Sequence, residues 1–238
     1  MLGSKNFRKV FLLRFFAYFL IQVGFLATVL SIEPVISEEA RYQFDQFIGR
    51  EYVLPTVVTS GNVEVPVASP NLPKSATSGF GALSFGGAEI LTPISTDFGV
   101  VIEKINANAR VVADVDPGNE KSYSEALALG VAHAKGTAYP GQKGNIYLFS
   151  HSTDAPWNIV RYNAIFYLLS KLEAGDRIIL FYGGRRFDYI VFDKGVVDPN
   201  DTKYLTNVYD DSILTLQTCD PPGTLLNRLI VRAKLAST

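Results

Sequence analysis

The single cysteine of this 238-residue chain, Cys219, closes the stretch Thr215-Leu216-Gln217-Thr218-Cys219. Ile213 to Thr218 is β-like. Asp220-Pro221-Pro222-Gly223 directly after it cannot continue a strand, because proline removes a backbone donor and Pro-Gly turns the chain. The thiol is therefore presented at a strand end beside a tight loop. On its own a lone cysteine is as readily a small buried hydrophobe as a nucleophile. Thiol chemistry needs the thiolate, and hence a base or cation beside it, most often histidine. The chain has two histidines, His133 and His151. His151 follows the β-like run Asn145 to Ser150, whereas His133 lies in Gly130-Val131-Ala132-His133. A cation could come from Arg228, which opens the strand-like run after the loop, or from Arg232 within it. Even spacing puts both arginines on one face of a strand, so parity does not separate them. Arg228 lies nearer the loop.

The unit Thr-Leu-x-Thr-Cys, followed shortly by an arginine that opens a strand, resembles the active-site signature of the sortases, the cysteine transpeptidases of bacterial surfaces. The run Asn145 to Ser150 with His151-Ser152-Thr153 resembles the stretch in which a sortase strand delivers its catalytic histidine. Gly130 to Gly141 is similar to the family's approach to that strand. The resemblance covers roughly Asp97 to Leu235.

It implies a catalytic set of Cys219, His151 and Arg228. Cys219 attacks the scissile carbonyl as thiolate, His151 pairs with it and protonates the leaving amine, and Arg228 stabilises the oxyanion or holds the substrate backbone. Thr218 is expected to line the substrate groove, and His133 to be structural or groove-lining. The substrates implied are surface proteins with a C-terminal sorting motif of the Leu-Pro-x-Thr-Gly type, and the acceptor is an amine on a cell-wall peptide or a pilin. The short loop between Cys219 and Arg228 resembles housekeeping or class D/E-like members. Pilin-assembling members often carry an Asp-Pro-aromatic lid ahead of the domain. The chain has none there, only Asp154-Ala155-Pro156-Trp157 after His151. Some members hold calcium through acidic residues near the groove. Asp198, Asp201, Asp210 and Asp211 precede the cysteine strand, but a solvated loop is the reading taken, and no cofactor or metal is expected.

These residues need elements to position them. The chain is 47% hydrophobic and 19% charged with a formal net charge of −1, which excludes a disordered chain and a broad electrostatic partner such as nucleic acid. No phosphate loop and no Cys/His cluster with metal spacing is present. One cysteine allows no intramolecular disulfide. Residues 1–9 are short and basic, with Lys5, Arg8 and Lys9. Residues 10–32 are almost wholly apolar, long enough to span a bilayer, and Glu33, Glu38 and Glu39 follow. Basic before and acidic after predicts a cytoplasmic N-terminus and an external remainder. The apolar run exceeds a usual signal-peptide core, so an uncleaved anchor is expected.

Residues 33–96 read as a juxtamembrane segment and flexible tether. Glu38 to Tyr52 has helical spacing, and Pro, Gly, Ser and Thr are frequent from Pro55 to Thr96, where Val57-Val58 and Val63 to Val67 suggest a small hairpin. The folded domain is placed at 97–238. Its expected strands are Phe98 to Ile105, Ala109 to Val115, Asn145 to Ser150, Arg177 to Tyr182, Arg186 to Phe192, Ile213 to Thr218 and Arg228 to Leu235. Short helical turns are expected at Tyr123 to Leu129, a longer helix at Asn158 to Leu172, and a hairpin turn at Gly183-Gly184. Many short strands with few helices predict a mostly β, closed or nearly closed barrel, and the sortase resemblance makes that barrel eight-stranded. Two other functions fit the same residues: a membrane-anchored cysteine hydrolase that releases rather than joins proteins, and a non-catalytic surface binding module.

Overall fold

The computed structural model describes residues 3–54, 87–152 and 165–236. Its elements are α1 (Gly3–Ile48), β1 (Glu51–Val53), β2 (Ala88–Ile90), β3 (Phe98–Ile102), β4 (Ala107–Val115), α2 (Glu120–Leu129), β5 (Val131–Ala134), β6 (Gly144–Phe149), β7 (Arg177–Tyr182), β8 (Arg185–Val197), α3 (Lys203–Thr206), β9 (Ser212–Asp220) and β10 (Asn227–Leu235). Short 3-10 turns occupy Glu103–Ile105 and Tyr167–Lys171. Eight of the strands close into a mostly β barrel in the order β10-β8-β7-β3-β4-β5-β6-β9.

Strand alternation makes the core. Val100, Ile102, Leu148, Ile178, Leu180, Leu214, Leu216 and Val231 face inward and are almost completely buried. The outer face is covered where apolar side chains also point outward. Tyr52, Leu54 and Leu91, from the segments around β1 and β2, pack on Val101, Ile179 and Phe181. Ala126 and Leu127 of α2 cover Ala132, Tyr147 and Phe149. Most neighbours in the barrel are antiparallel, and two pairs are parallel: β4 with β5, joined through α2, and β6 with β9.

Local chemistry sets the ends of these elements. Asn119 caps α2, its side chain accepting from the Ser122 amide at 3.2 Å. The β7–β8 turn uses Gly183 and Gly184, both with positive φ (55° and 73°), which an inverse hairpin turn requires. The helical spacing of Asn158 to Leu172 predicts an α-helix, but the described part, from Ile165 on, is turn and 3-10 helix. Phe166 and Leu169 are nonetheless fully buried, so the apolar spacing reports a core contact and not a helix. Phe98 to Ile105 also ends early as a strand, at Ile102, and β8 continues five residues past the expected Phe192, to Val197. Residues 55–86, with the suggested hairpin, and 153–164, with Asp154 to Trp157, lie outside the described residues.

The juxtamembrane segment differs from expectation. The helix does not restart at Glu38; α1 is continuous to Ile48. Its last turns touch the barrel: Lys171 Nζ donates to Glu39 Oε1 at 2.8 Å and lies 5.4 Å from the centre of the Tyr42 ring. The Tyr52 hydroxyl donates to Asp45 Oδ2 at 2.7 Å. Phe7–Val29 of α1 is long and apolar enough to cross a membrane, with mean hydropathy 2.0 and none of it buried.

Candidate active site

The parallel pairing of β6 with β9 sends both strands to the same rim of the barrel. The antiparallel β10 starts at that rim. On the outer face this builds successive rows: Tyr147, Thr215 and Arg232 in one, then Phe149, Gln217 and Ile230. The next row holds Cys219 directly opposite Arg228. Paired β6 residues end at Phe149, opposite Gln217; the same register carried two residues further sets His151 level with Cys219. Two bonds hold that register past the strand end: Ser150 N donates to Gln217 O at 3.2 Å, and Thr218 Oγ1 donates to Ser150 O at 2.9 Å.

Cys219 is partly exposed, so its thiol is within reach of solvent. After Asp220 the chain leaves the sheet through Pro221-Pro222-Gly223, closed by Thr224 N donating to Pro221 O at 3.0 Å. Arg228 is half-buried. Its Nη1 donates to the carbonyls of Leu225 (3.3 Å) and Asn227 (3.0 Å), which fixes the guanidinium plane and leaves other donors of the fork for a ligand. Among the described residues no carboxylate pairs with it. Arg232 is different: its Nε and Nη2 donate to Asp193 Oδ2 at 2.8 and 2.6 Å, and its guanidinium stacks on Phe192 and Tyr204. Parity leaves the two arginines equivalent; the Asp193 pair separates them.

Thr218 is placed elsewhere than expected. It is 3% exposed and shares the inward parity of Leu214 and Leu216, so it does not line an outer groove. Its hydroxyl fastens the chain one residue before His151. The side chains that do share the Cys219 face, Gln217 on β9 and Tyr147 on β6, were not singled out by sequence reading, although alternation from Cys219 points to the first of them.

His133 is also resolved. It faces inward, is fully buried, and packs against Phe98 and Tyr139. Asp114 N donates to its Nδ1 at 3.4 Å, and its Nε2 lies 3.0 Å from Ala138 O, which makes it the neutral Nε2–H tautomer. Burial lowers its pKa, against the opposing pull of the Ala138 carbonyl and of Asp114. It lies on the other face of the sheet from Cys219.

Three of the four acidic residues named before β9 are engaged by neighbours. Asp201 pairs with Lys203 and Asp211 with Lys234, each at 2.7 Å, and these lysine contacts lower both carboxyl pKa values. Asp198 Oδ1 accepts from Asn200. Among the described residues no group of three or more potential metal ligands converges.

The model of the Sortase domain matches residues 100–236, more than half of the chain. The chain belongs to the sortase family. Sortase D of Bacillus subtilis (strain 168) is 32% identical over 138 residues, 56% of this chain and 60% of that protein, so the match spans less than two thirds of the relative's length. Among solved structures, sortase C-1 from Actinomyces oris aligns with a TM-score of 0.51 and 26% identity over 61% of this chain and 75% of that one. A lid mutant of sortase A from Corynebacterium diphtheriae aligns with a TM-score of 0.50 and 25% identity over 60% and 72%. The eight-stranded barrel is thus a sortase fold.

The His133 environment makes a prediction about the sortase barrel itself. In the unfolded chain this histidine titrates near 6.5, and the folded value is lower. Stability is therefore full above about pH 6.5 and falls as pH drops through the folded value, because the unfolded chain then binds a proton that the fold resists. His133→Gln should flatten the slope of unfolding free energy against pH below 6.5, whatever its offset. An unchanged slope in denaturant titrations would remove His133 as the source.

Proposed function

We propose that this sortase is a membrane-anchored cysteine transpeptidase that cleaves a sorting motif of the Leu-Pro-x-Thr-Gly type in surface proteins. The acyl group then passes to an amine of a cell-wall peptide or a pilin. The observation that carries the reading is the facing of Cys219 and Arg228 across β9 and β10 at the rim to which parallel β6 brings His151.

The chemistry follows from these positions. The Cys219 thiolate adds to the scissile carbonyl, and the carbon–oxygen π pair moves onto oxygen. Arg228, held by its two backbone contacts, supplies N–H donors to that oxyanion without having to reorganise. The intermediate collapses to a thioester as the carbon–nitrogen bond breaks, and the departing nitrogen takes its proton from His151. An incoming amine then attacks the thioester, gives a proton back to His151 and releases the thiolate. Water in its place gives hydrolysis, so the reaction class depends on which nucleophile reaches the acyl-enzyme first. The short loop before Arg228, together with the likeness to a relative named sortase D, supports a class D-like member.

The decisive experiment is the fate of the acyl-enzyme. Incubated with a sorting peptide, the wild type should form a thioester adduct at Cys219, visible by mass, and an added amine should convert it to a peptide-bonded product faster than water does. Cys219→Ala should abolish cleavage and His151→Ala should abolish the adduct. A wild type on which amine never competes with water would be a hydrolase, and cleavage by Cys219→Ala would exclude the mechanism.

Arg228→Lys retains the charge but loses the planar fork, and should lower acylation by about a hundredfold, comparable with removing one oxyanion donor. Arg232→Lys, remote from the thiol and paired to Asp193, should change acylation only mildly. Equal small losses would take Arg228 out of the site.

The basic start and the apolar Phe7–Val29 run support an anchor with the N-terminus inside and the barrel outside. Protease added to intact cells should digest the barrel and spare the N-terminus. A barrel protected until lysis contradicts this topology, and a mature chain lacking the apolar run identifies a cleaved signal instead.

A further inference from the structure

One side-chain pair on the catalytic face has no part in the chemistry above. The Tyr147 hydroxyl donates to Gln217 Oε1. Tyr147 is 5% exposed, and burial raises its pKa well above the ordinary tyrosine range despite the opposing pull of Arg228, so the phenol keeps its proton and remains a donor. With the amide oxygen of Gln217 engaged, the Nε2 end is turned away from Tyr147. It makes no hydrogen bond among the described residues and is not one of their buried unsatisfied atoms. Gln217 itself is only half-buried. Its two N–H donors are therefore oriented by a buried partner and open to the surface.

Their position is set by the rows. Gln217 lies two residues before Cys219 on the same strand face, roughly 6.5 to 7 Å along it. The row beyond, with Thr215, Tyr147 and Arg232, runs under α3. Asn145 Nδ2 donates to Tyr204 O at 2.7 Å, Thr215 Oγ1 donates to Asn145 Oδ1 at 2.7 Å, and Arg232 stacks on Tyr204, so α3 is fastened as a wall at that end. Past Cys219 in the other direction the sheet stops at Asp220. Among the described residues the wall beside this face is α3, and an extended peptide with its scissile carbonyl at Cys219 is placed along β9 toward it. The part recognised and kept by a transferase is the acyl side, so that side takes this path. Alternate carbonyls of an extended chain point the same way and repeat at the spacing of Cys219 and Gln217.

We infer that Gln217, with its amide aimed by Tyr147, donates to the backbone carbonyl two residues before the scissile bond and is a specificity-determining residue for extended peptides. The inference rests on the transpeptidase reading above.

The test is acylation of the full chain by a Leu-Pro-x-Thr-Gly-type peptide and by an analogue in which the amide two residues before the scissile one is a trans-alkene. Wild type should lose about tenfold in acylation kcat/KM on the alkene, the size of one net hydrogen bond. Gln217→Met, of similar shape without donors, should lose about tenfold on the parent peptide and little more on the alkene. Tyr147→Phe should show a smaller loss, absent when Gln217 is already Met. Partition of the acyl-enzyme between amine and water should not follow these losses, since the contact acts before deacylation. Acylation by Gln217→Met at the wild-type rate would overturn the inference, as would an alkene penalty equal in both proteins. So would a slowing of iodoacetamide labelling of Cys219 as large as the loss in acylation, because Gln217 would then act on the thiol. Wild type that acylates on no peptide of a motif library overturns the transpeptidase reading and this inference with it; wild type that acylates leaves only the inference at stake.

Discussion

Everything at the candidate site depends on the parallel pairing of β6 with β9. Strands that are neighbours in a hairpin run in opposite directions, so their ends fall on opposite rims. Parallel strands end on the same rim, but need a long crossover between them. Here that crossover contains β7, β8 and α3, which separate His151 from Cys219 in sequence while the strands that lead to them, β6 and β9, end on one rim. The Thr218 hydroxyl reinforces the pairing where ladder bonds run out, donating to Ser150 O from a nearly water-free position. A buried hydroxyl must find an acceptor or cost about 1 to 3 kcal/mol, so this bond is specified as well as available. The bond ties β9 to the segment that leads into His151.

Strand alternation then sorts the chemistry. Leu214, Leu216 and Thr218 point into the barrel, whereas Thr215, Gln217 and Cys219 point out. Burial separates the two histidines. His133 serves the interior, where both ring nitrogens are engaged and its charge is disfavoured. His151 lies past the end of β6 and is partly exposed. A buried neutral imidazole facing the core cannot exchange protons with a thiol on the outer surface, whatever its distance along the chain.

Much of this was legible in the sequence. The cysteine before Asp-Pro-Pro-Gly, the arginine opening the last strand, the Gly183-Gly184 hairpin and most strands carry strong local signals. Misreadings arose where local pattern and tertiary context diverge. The strand Val131 to Ala134 is too short and too rich in alanine to read as β; it is held by β4 and β6 on either side. The spacing of Phe166 and Leu169 marks burial but does not distinguish an α-helix from turns pressed against a core. Thr218 and Cys219 cannot both face one groove, so the assignment of Thr218 there neglected alternation. The pairing of Arg232 with Asp193 crosses 39 positions and leaves no local trace.

In the juxtamembrane region the end of α1 lies against the barrel. The flexible tether expected from Pro55 to Thr96 lies mostly outside the described residues, and this contact is made ahead of it. α1 runs from the apolar segment to Ile48 without a break, and Glu39, the first of its described side chains seen to contact the barrel, lies ten residues past Val29, about 15 Å at helical rise. The Glu39–Lys171 pair is partly exposed and contributes about 1 kcal/mol at most. What favours the docked arrangement is apolar and buried: Tyr42 packs on the barrel core, and Tyr52, bonded to the buried Asp45, lies with Leu54 and Leu91 over Val101, Ile179 and Phe181. Undocking the helix end would expose that surface and leave Asp45 and Tyr52 to find water separately. The last turns of α1 and the outer face of the barrel are thus joined through buried apolar contact.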